Sequence, residues 1–441
     1  MYSIMRHFFT VMKTDQLYNL FKDSTGVSTD SRTVDRGQIF FALWGDNYNG
    51  NKFAGDALAR GAKCAVIDDP LFETENTILV DDCLFELQAL AAHFRKEMNV
   101  PVIAITGTNG KTTTKELLAA ILLKKFKVHY TKGNLNNHIG VPLTILSAPA
   151  GTEMLIIEMG ASHIGEIRTL CLIAKPDFGI ITNIGTAHIE GFGSIEGVAK
   201  AKTELYEHLR KVNGIALYND KDPLLAEKIF RIVNRAVPFS DPTGIDLLIN
   251  KIPSDLNLRI SVTFLHHTYE VSTNLFGSYN LENVRAAMAT GLFLGVDIKD
   301  IIEAVEKYQP ANNRSQIKDT KCNTLICDSY NANPTSMIVA IDSFLAIKAD
   351  HKAIILGDML ELGEKSEEEH LKVLKAIQSG IAEKVFLVGP VFQKVSTKSG
   401  FQAFSNVDSL TEFLASEPLK GNTILIKGSR GIRLEKVYAL L

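Results

Sequence analysis

The chain has 441 residues, 46% of them hydrophobic, and a formal charge of -3 from 47 basic and 50 acidic side chains. At ~100 to 200 residues per domain this length predicts about two to four folded units, with ample apolar material for several cores. Charges of both signs are well mixed, which leaves no basic face for nucleic acid and no polybasic membrane patch, so neither partner is expected.

The first segment, "MYSIMRHFFTVMKTDQL", carries Arg6, Lys13 and Asp15 and lacks a sustained apolar core, so no signal peptide is expected. No run approaches the ~20 apolar residues of a membrane span, so no membrane anchor is expected either. Five cysteines (Cys64, Cys83, Cys171, Cys322, Cys327) are odd in number, far apart and without a C-x-x-C pair. That pattern argues against a disulfide framework or zinc site and for a reduced, cytoplasmic setting.

In chain order, "GQIFFALWG", "CAVID" and "TILV" alternate with the helical "NKFAGDALARGA" and predict a small α/β domain over residues 1–99. Pro101 then introduces "VIAIT", which with "MLIIEM" and "FGIITNI" reads as a set of buried parallel strands joined by crossover helices, a central domain over 100–310. A helix stops before Pro310, and "TLICDSY", "KAIILGDM", "KVFLVGP" and "TILIKGSR" repeat the rhythm over 311–441, predicting a Rossmann-like α/β domain. In open α/β sheets ligands bind at the carboxyl ends of the strands, where this chain places its polar clusters.

The richest cluster follows "VIAIT": Gly107-Thr108-Asn109-Gly110, then Lys111-Thr112-Thr113 opening a helix. Such a loop aims backbone N–H groups and a helix dipole at phosphate, with Lys111 on the β and γ phosphates and Thr112 or Thr113 at Mg²⁺. A standard P-loop has a further glycine where this chain has Ile105. Glu158 ends the strand "MLIIEM", and its carboxylate is either a metal ligand beside the loop or a surface acid. His188, after "FGIITNI", is either a partner in that site or an ordinary loop histidine.

In the helix "SIEGVAKAKTELYEHLRKV", Val198, Leu205, Leu209 and Val212 share one face with Lys202, while Lys200, Glu204, Glu207 and Lys211 fall opposite. A lysine in an apolar stripe either snorkels or, as a neutral amine, reacts with CO₂ to give a carbamate that could hold a cation. Further polar clusters, "GNLNNHIGVP", "GSYNLENVRAA", "NNRSQ", "DSYNANP" and "KGSRG", sit at element boundaries with side chains suited to ribose, amide or phosphate.

Taken together, "TGTNGKTT", "EMGASHIGEI", "GTAHIEGFGSIEGVAKAKTE", "DSYNANPTSM", "GDMLELGEKSEEEH" and "KGSR" resemble the Mur ligase family, the ATP-dependent amide-forming enzymes of peptidoglycan precursor synthesis. The resemblance covers nearly the whole chain and is to the member that joins D-alanyl-D-alanine to UDP-MurNAc-tripeptide. It implies three α/β domains: an N-terminal one for the UDP-linked substrate, a central ATPase domain and a C-terminal one for the incoming dipeptide. Gly107 through Thr113 match the ATP loop, Asn283 and Arg314 match nucleotide contacts, and Asp328 matches one near the ribose. Thr112, Glu158 and His188 correspond to the Mg²⁺ site, for which two ions are expected, and Lys202 to the family's carbamylated lysine. Substrate contacts are implied for Ser28, Asp30, Ser31 and Arg32, for Asn134, Asn137 and Ser162, and for Tyr330, Asn331, Asn333, Ser429 and Arg430. Asn49-Gly50-Asn51 replaces a common Asp-Gly-His, and Tyr279 stands where histidine is frequent.

The implied reaction is attack of the tripeptide carboxylate on the γ-phosphate, then capture of the acyl phosphate by the dipeptide amine, in a monomeric enzyme. The rival readings are a related ligase that adds a single amino acid and a nucleotide-gated regulatory protein without ligation.

Overall fold

The computed structural model describes residues 14–185, 189–378, 380 and 382–441. Four short strands, Val27–Ser28, Ile39–Phe41, Cys64–Ile67 and Thr77–Leu79, pair in chain order and all in parallel. The helix Cys83–Met98 follows; Asp82 caps its start by accepting from Phe85 N, and Asn99 ends it in the left-handed conformation. Its inner residues Leu87 and Leu90 join the same apolar cluster as Leu155 and Ile157 of the next sheet. Arg95 donates to Ala174 O (3.0 Å) and pairs with Asp177 (3.1 Å), whose carboxylate also accepts from Val102 N. This helix thereby helps fasten the first unit to the second.

The central sheet has six parallel strands ordered Ala236–Pro238, Ile215–Tyr218, Phe178–Ile181, Val102–Thr106, Met154–Glu158 and Val128–Tyr130. From Val102–Thr106 the chain builds first to one side and then to the other, so this strand lies where the winding reverses. The loop after Thr106 therefore opens into the crevice that such a reversal creates. Ile105 is paired in register with Glu158, and Thr106 with Ile181, so three strand ends converge around the loop.

Beyond it lies a parallel series, Thr324–Asp328, Thr423–Lys427, Lys352–Gly357, Lys384–Val388 and Gln402–Phe404, in that spatial order. The antiparallel ribbon Leu248–Ile252, Asn257–Phe264 and His267–Phe276 was not among the expected elements. Its signal is the alternation in "NLRISVTF": Leu258, Ile260, Val262 and Phe264 point inward, as a one-faced antiparallel strand requires. The ribbon precedes residue 310 yet reaches the last sheet, because Leu275 faces Gln316.

The helix Ile195–Val212 buries Val198, Lys202, Leu205 and Leu209 on one side, as its periodicity predicts. Two positions depart. Val212 is exposed at the helix end, and Glu204, expected on the outer face, is buried. The Glu204 oxygens accept from Gly165 N (2.7 Å) and Arg168 N (2.9 Å), capping the helix Glu166–Ala174 where the dipole favours a carboxylate. Among the described residues no helix is long and apolar enough to cross a membrane.

Candidate active site

Gly107 and Gly110 carry the turn between Val102–Thr106 and the helix Lys111–Leu122, with φ of 143° and 79°. A Cβ at Gly107 would lie 2.0 Å from Thr182 Oγ1, and one at Gly110 would lie 2.1 Å from Asn283 Oδ1. Both the dihedrals and the space therefore demand glycine. Thr182 and Asn183 brace the loop from the neighbouring strand: each donates to Asn109 O, and Asn183 Oδ1 accepts from Asn109 N. Lys111 curls over the loop, its Nζ donating to Gly107 O (2.7 Å) and Thr108 O (3.0 Å). Burial pushes this ammonium down to about 8, with Glu158 opposing the shift and Arg314 adding to it.

Glu158 stands beside the loop, 1% exposed. Its Oε1 accepts from Thr112 Oγ1 (3.1 Å) and Asn136 Nδ2 (2.8 Å). Oε2 is buried and makes no hydrogen bond. A divalent cation fits here, since a carboxylate oxygen with no donor, next to a threonine hydroxyl and a phosphate loop, is the donor set an oxygen-loving ion takes. Of the two threonines, Thr112 is the one that reaches the carboxylate. His188 lies outside the described residues.

Lys202 is buried behind this wall, 2% exposed, and does not line the cleft. Its Nζ lies 3.5 Å from Ala161 O and 5.4 Å from the Phe192 ring centroid. Burial pushes its pKa down to about 7, the Lys111 charge adds to the fall, and Glu166 and Glu204 oppose it. Ser162, adjacent to Ala161, faces the cleft, its backbone N–H held by Glu166.

The opposite wall comes from the last unit. Arg314 stacks 3.6 Å over the Tyr330 ring, and its Nε is buried without a hydrogen-bond partner. Asp328 accepts from Ser315 N (2.9 Å) and Lys427 Nζ (2.6 Å), which fixes its carboxylate at the strand end. Lys427 also reaches Asn331 O, and Arg430 Nη1 lies 3.4 Å from the Tyr330 hydroxyl. Ser429 Oγ accepts from Leu360 N (2.9 Å), so this hydroxyl anchors the 358–361 loop as well as facing the cleft. Tyr279, in the frequent histidine position, bonds Ser315 Oγ at 2.9 Å. Asn283 braces the loop helix within the central unit: Oδ1 accepts from Thr114 Oγ1, and Nδ2 donates to Asn280 Oδ1.

One contact joins the last unit directly to the phosphate loop. Asn333 caps the helix Pro334–Leu345 through Oδ1 and donates from Nδ2 to Asn109 Oδ1 at 2.7 Å. If this bond holds the two units closed, Asn109→Ala and Asn333→Ala should be coupled by about 0.5 to 1.5 kcal/mol in kcat/KM. A double-mutant cycle measures it, and strictly additive losses would remove the bond from the account of closure.

These walls enclose a cleft of about 1400 Å³. It gathers the expected loop residues from Thr108 to Thr113, Glu158, Asn283, Arg314 and Asp328, together with Asn134, Asn137, Tyr330 and Asn331. Asn137 spends its Oδ1 on capping Ile139 N and Gly140 N, and Asn134 is exposed at the rim. Ser28, Asp30, Ser31 and Arg32 are not brought to this cleft; they form a separate turn in which Asp30 accepts from Arg32 N, Nε and Nη2. From the first unit Leu84 and Gln88 line it instead, Gln88 donating to His138 O. Asn136 and Lys427 fall inside the clusters "GNLNNHIGVP" and "KGSRG" without being singled out there, and Asn183 was not a candidate; the roles of all three depend on neighbours far away in the chain.

Three family models match the chain: the Mur ligase family catalytic domain over residues 23–121, the Mur ligase middle domain over 105–291, and the Mur ligase glutamate ligase domain over 313–430. The UDP-N-acetylmuramoyl-tripeptide--D-alanyl-D-alanine ligase of Bacillus subtilis is 33% identical, with 93% of this chain and 92% of that protein covered. The enzyme of the same name from Escherichia coli is 34% identical, covering 94% and 93%. Among solved structures, MurF from Acinetobacter baumannii superposes with a TM-score of 0.83 at 29% identity over 95% of this chain and 97% of that one. MurF ligase from Thermotoga maritima, solved with ADP, gives 0.83 at 28% over 96% and 97%. With matches that run from the first unit to the last, this chain belongs to the Mur ligase family.

Proposed function

We propose that the chain joins D-alanyl-D-alanine to UDP-MurNAc-tripeptide at the expense of ATP, giving UDP-MurNAc-pentapeptide, ADP and phosphate. The observation that carries this reading is the single cleft in which a phosphate loop, a buried carboxylate and the polar strand ends of the last unit face one another. Full-length likeness to ligases of that name, one of them solved with ADP, supports both the nucleotide and the substrates. It also disfavours a ligase that adds a single amino acid.

In this reading residues 1–99 bind the UDP moiety, 100–310 bind ATP, and 311–441 receive the dipeptide. The segment Ser28 to Arg32 then lies along the UDP end, away from the reacting groups. The terminal carboxylate of the tripeptide attacks the γ-phosphorus, the bond to the β-phosphate oxygen breaks, and ADP leaves. Lys111 and the unpartnered Nε of Arg314 offset the negative charge that builds on the transferring group. The neutral amine of the dipeptide next attacks the acyl carbon, the C–O bond to phosphate breaks, and the proton shed by the nitrogen leaves with the phosphate as the amide forms. Asn333 on Asn109 holds the last unit over the loop while the acyl phosphate exists, keeping water from it. Glu158 and Thr112 would hold Mg²⁺, which supplies Lewis-acid charge neutralisation when bound.

A carbamate on Lys202 belongs to the same proposal, and its support is chemical: a buried amine brought to about 7 reacts with CO₂, losing one proton. The neutral fraction grows as pH rises through 7, so modification and any activity that depends on it should rise with bicarbonate and with pH. Density for a plain amine in active, CO₂-equilibrated enzyme would rule it out. The proposal takes the enzyme to act as a monomer, and both nucleotide substrates suit the cytoplasm.

The test is phosphate release with each substrate omitted in turn. Release that requires both UDP-MurNAc-tripeptide and D-alanyl-D-alanine is expected; release stimulated equally by a single amino acid would overturn the choice.

A further inference from the structure

Four residues beyond Lys111 on the same helix, one turn deeper, lies a second lysine. Lys115 is fully buried, with 0% exposure. Its Nζ donates to Thr131 O at 2.6 Å and lies 2.9 Å from Glu116 Oε1 and 3.6 Å from Glu158 Oε2. Thr131 closes the arrangement from the other side, since its Oγ1 accepts the backbone N–H of Glu158 at 3.0 Å. One threonine therefore grips both the ammonium and the strand end that carries the carboxylate.

The geometry points to Lys115 as a positioning residue for Glu158: the ammonium, 3.6 Å from Oε2, supplies its counter-charge without a hydrogen bond and holds the carboxylate in place at the cleft. This inference rests on the reading of Glu158 as the carboxylate that faces the metal. A buried carboxylate needs a compensating charge, yet one that spends both oxygens on strong hydrogen bonds has none left for a metal. Lys115 meets both demands. It stands close enough to Oε2 for electrostatic attraction while its own hydrogen bond goes to Thr131 O, so Oε2 keeps its lone pairs. Lys111 cannot substitute, because it belongs to the phosphates. The helix thus divides two cations between two tasks: Lys111 lines the cleft, and Lys115, one turn on and fully buried, stands beside the carboxylate that lines it.

The bland alternative is that Lys115 only staples the helix to the Val128–Tyr130 strand. Charge distinguishes the two. Lys115→Gln keeps a donor for Thr131 O and loses the cation, whereas Lys115→Met loses both. ADP binding is followed by thermal shift and calorimetry over a Mg²⁺ titration, with kcat and KM for ATP alongside. Both variants should need at least tenfold more Mg²⁺ for metal-dependent ADP binding and lose kcat more than KM, with metal-free ADP affinity within about twofold of the parent. A parental Mg²⁺ requirement in Lys115→Gln, beside an impaired Glu158→Gln, would overturn the positioning role. A parental requirement in Glu158→Gln would instead overturn the reading of the site. Should the single Lys115 variants fail to fold, Lys115→Met with Glu158→Gln decides: folding restored by removing both charges supports the pairing, and failure of the double variant assigns Lys115 to structure alone.

Discussion

Lys111→Ala should lower turnover by about a thousandfold, ~4 kcal/mol of transition-state stabilisation, without lowering the thermal midpoint at pH 7. The ammonium hydrogen-bonds only Gly107 O and Thr108 O in its own loop, both at the cleft, so its loss leaves no distant group unpaired. Linkage points the same way. Its pKa is about 8 in the fold and 10.5 ordinarily, so the unfolded chain binds more protons between those values and the lysine is least favourable to folding below pH 8. Removing it at pH 7 therefore relieves the folded state. By the same titration, ATP affinity of the parent should fall as pH rises past about 8, because phosphate binds the protonated amine. Coupled ADP release and calorimetry check both statements, and turnover within tenfold of the parent would exclude Lys111 from the phosphates.

Ile105→Gly should be the most damaging substitution for the fold, although it restores the glycine of a standard P-loop. Ile105 is fully buried in the strand and pairs with Glu158. Truncation leaves a cavity costing about 2 to 5 kcal/mol, and glycine in a strand interior adds roughly 0.5 to 1 kcal/mol. The strand end that presents both the loop and Glu158 would loosen, so nucleotide affinity should fall together with the midpoint of urea unfolding. Ile105→Val, which keeps the strand filled, should cost only about 1 kcal/mol and leave binding intact. A stable Ile105→Gly variant that binds nucleotide normally would show that the loop does not depend on this packing.

The central sheet was legible because its strands are short apolar runs that end in polar residues, a pattern that local chemistry alone produces. Gly107, Gly110, Lys111 and Glu158 could be found for the same reason: each ends or follows a strand, or opens a helix. Lys202 stood out as a cation within an apolar stripe. Glu204 did not, because its burial is compensated by the N-terminus of a helix that precedes it by some forty residues. The ribbon 248–276 does not share the pattern of the central strands: its strand Asn257–Phe264 alternates inward and outward residues instead of running apolar throughout. Asn109 with Asn333, and Lys115 with Glu158, are pairings of residues 224 and 43 positions apart. Only the folded chain brings such partners together.

In the proposed reaction ATP activates the tripeptide carboxylate as an acyl phosphate before the amide forms. Its most direct measurement uses UDP-MurNAc-tripeptide carrying heavy oxygen in the terminal carboxylate. One labelled oxygen should appear in the phosphate released for each amide made, with none in ADP. Phosphate free of the label, at full yield of pentapeptide, would contradict the account.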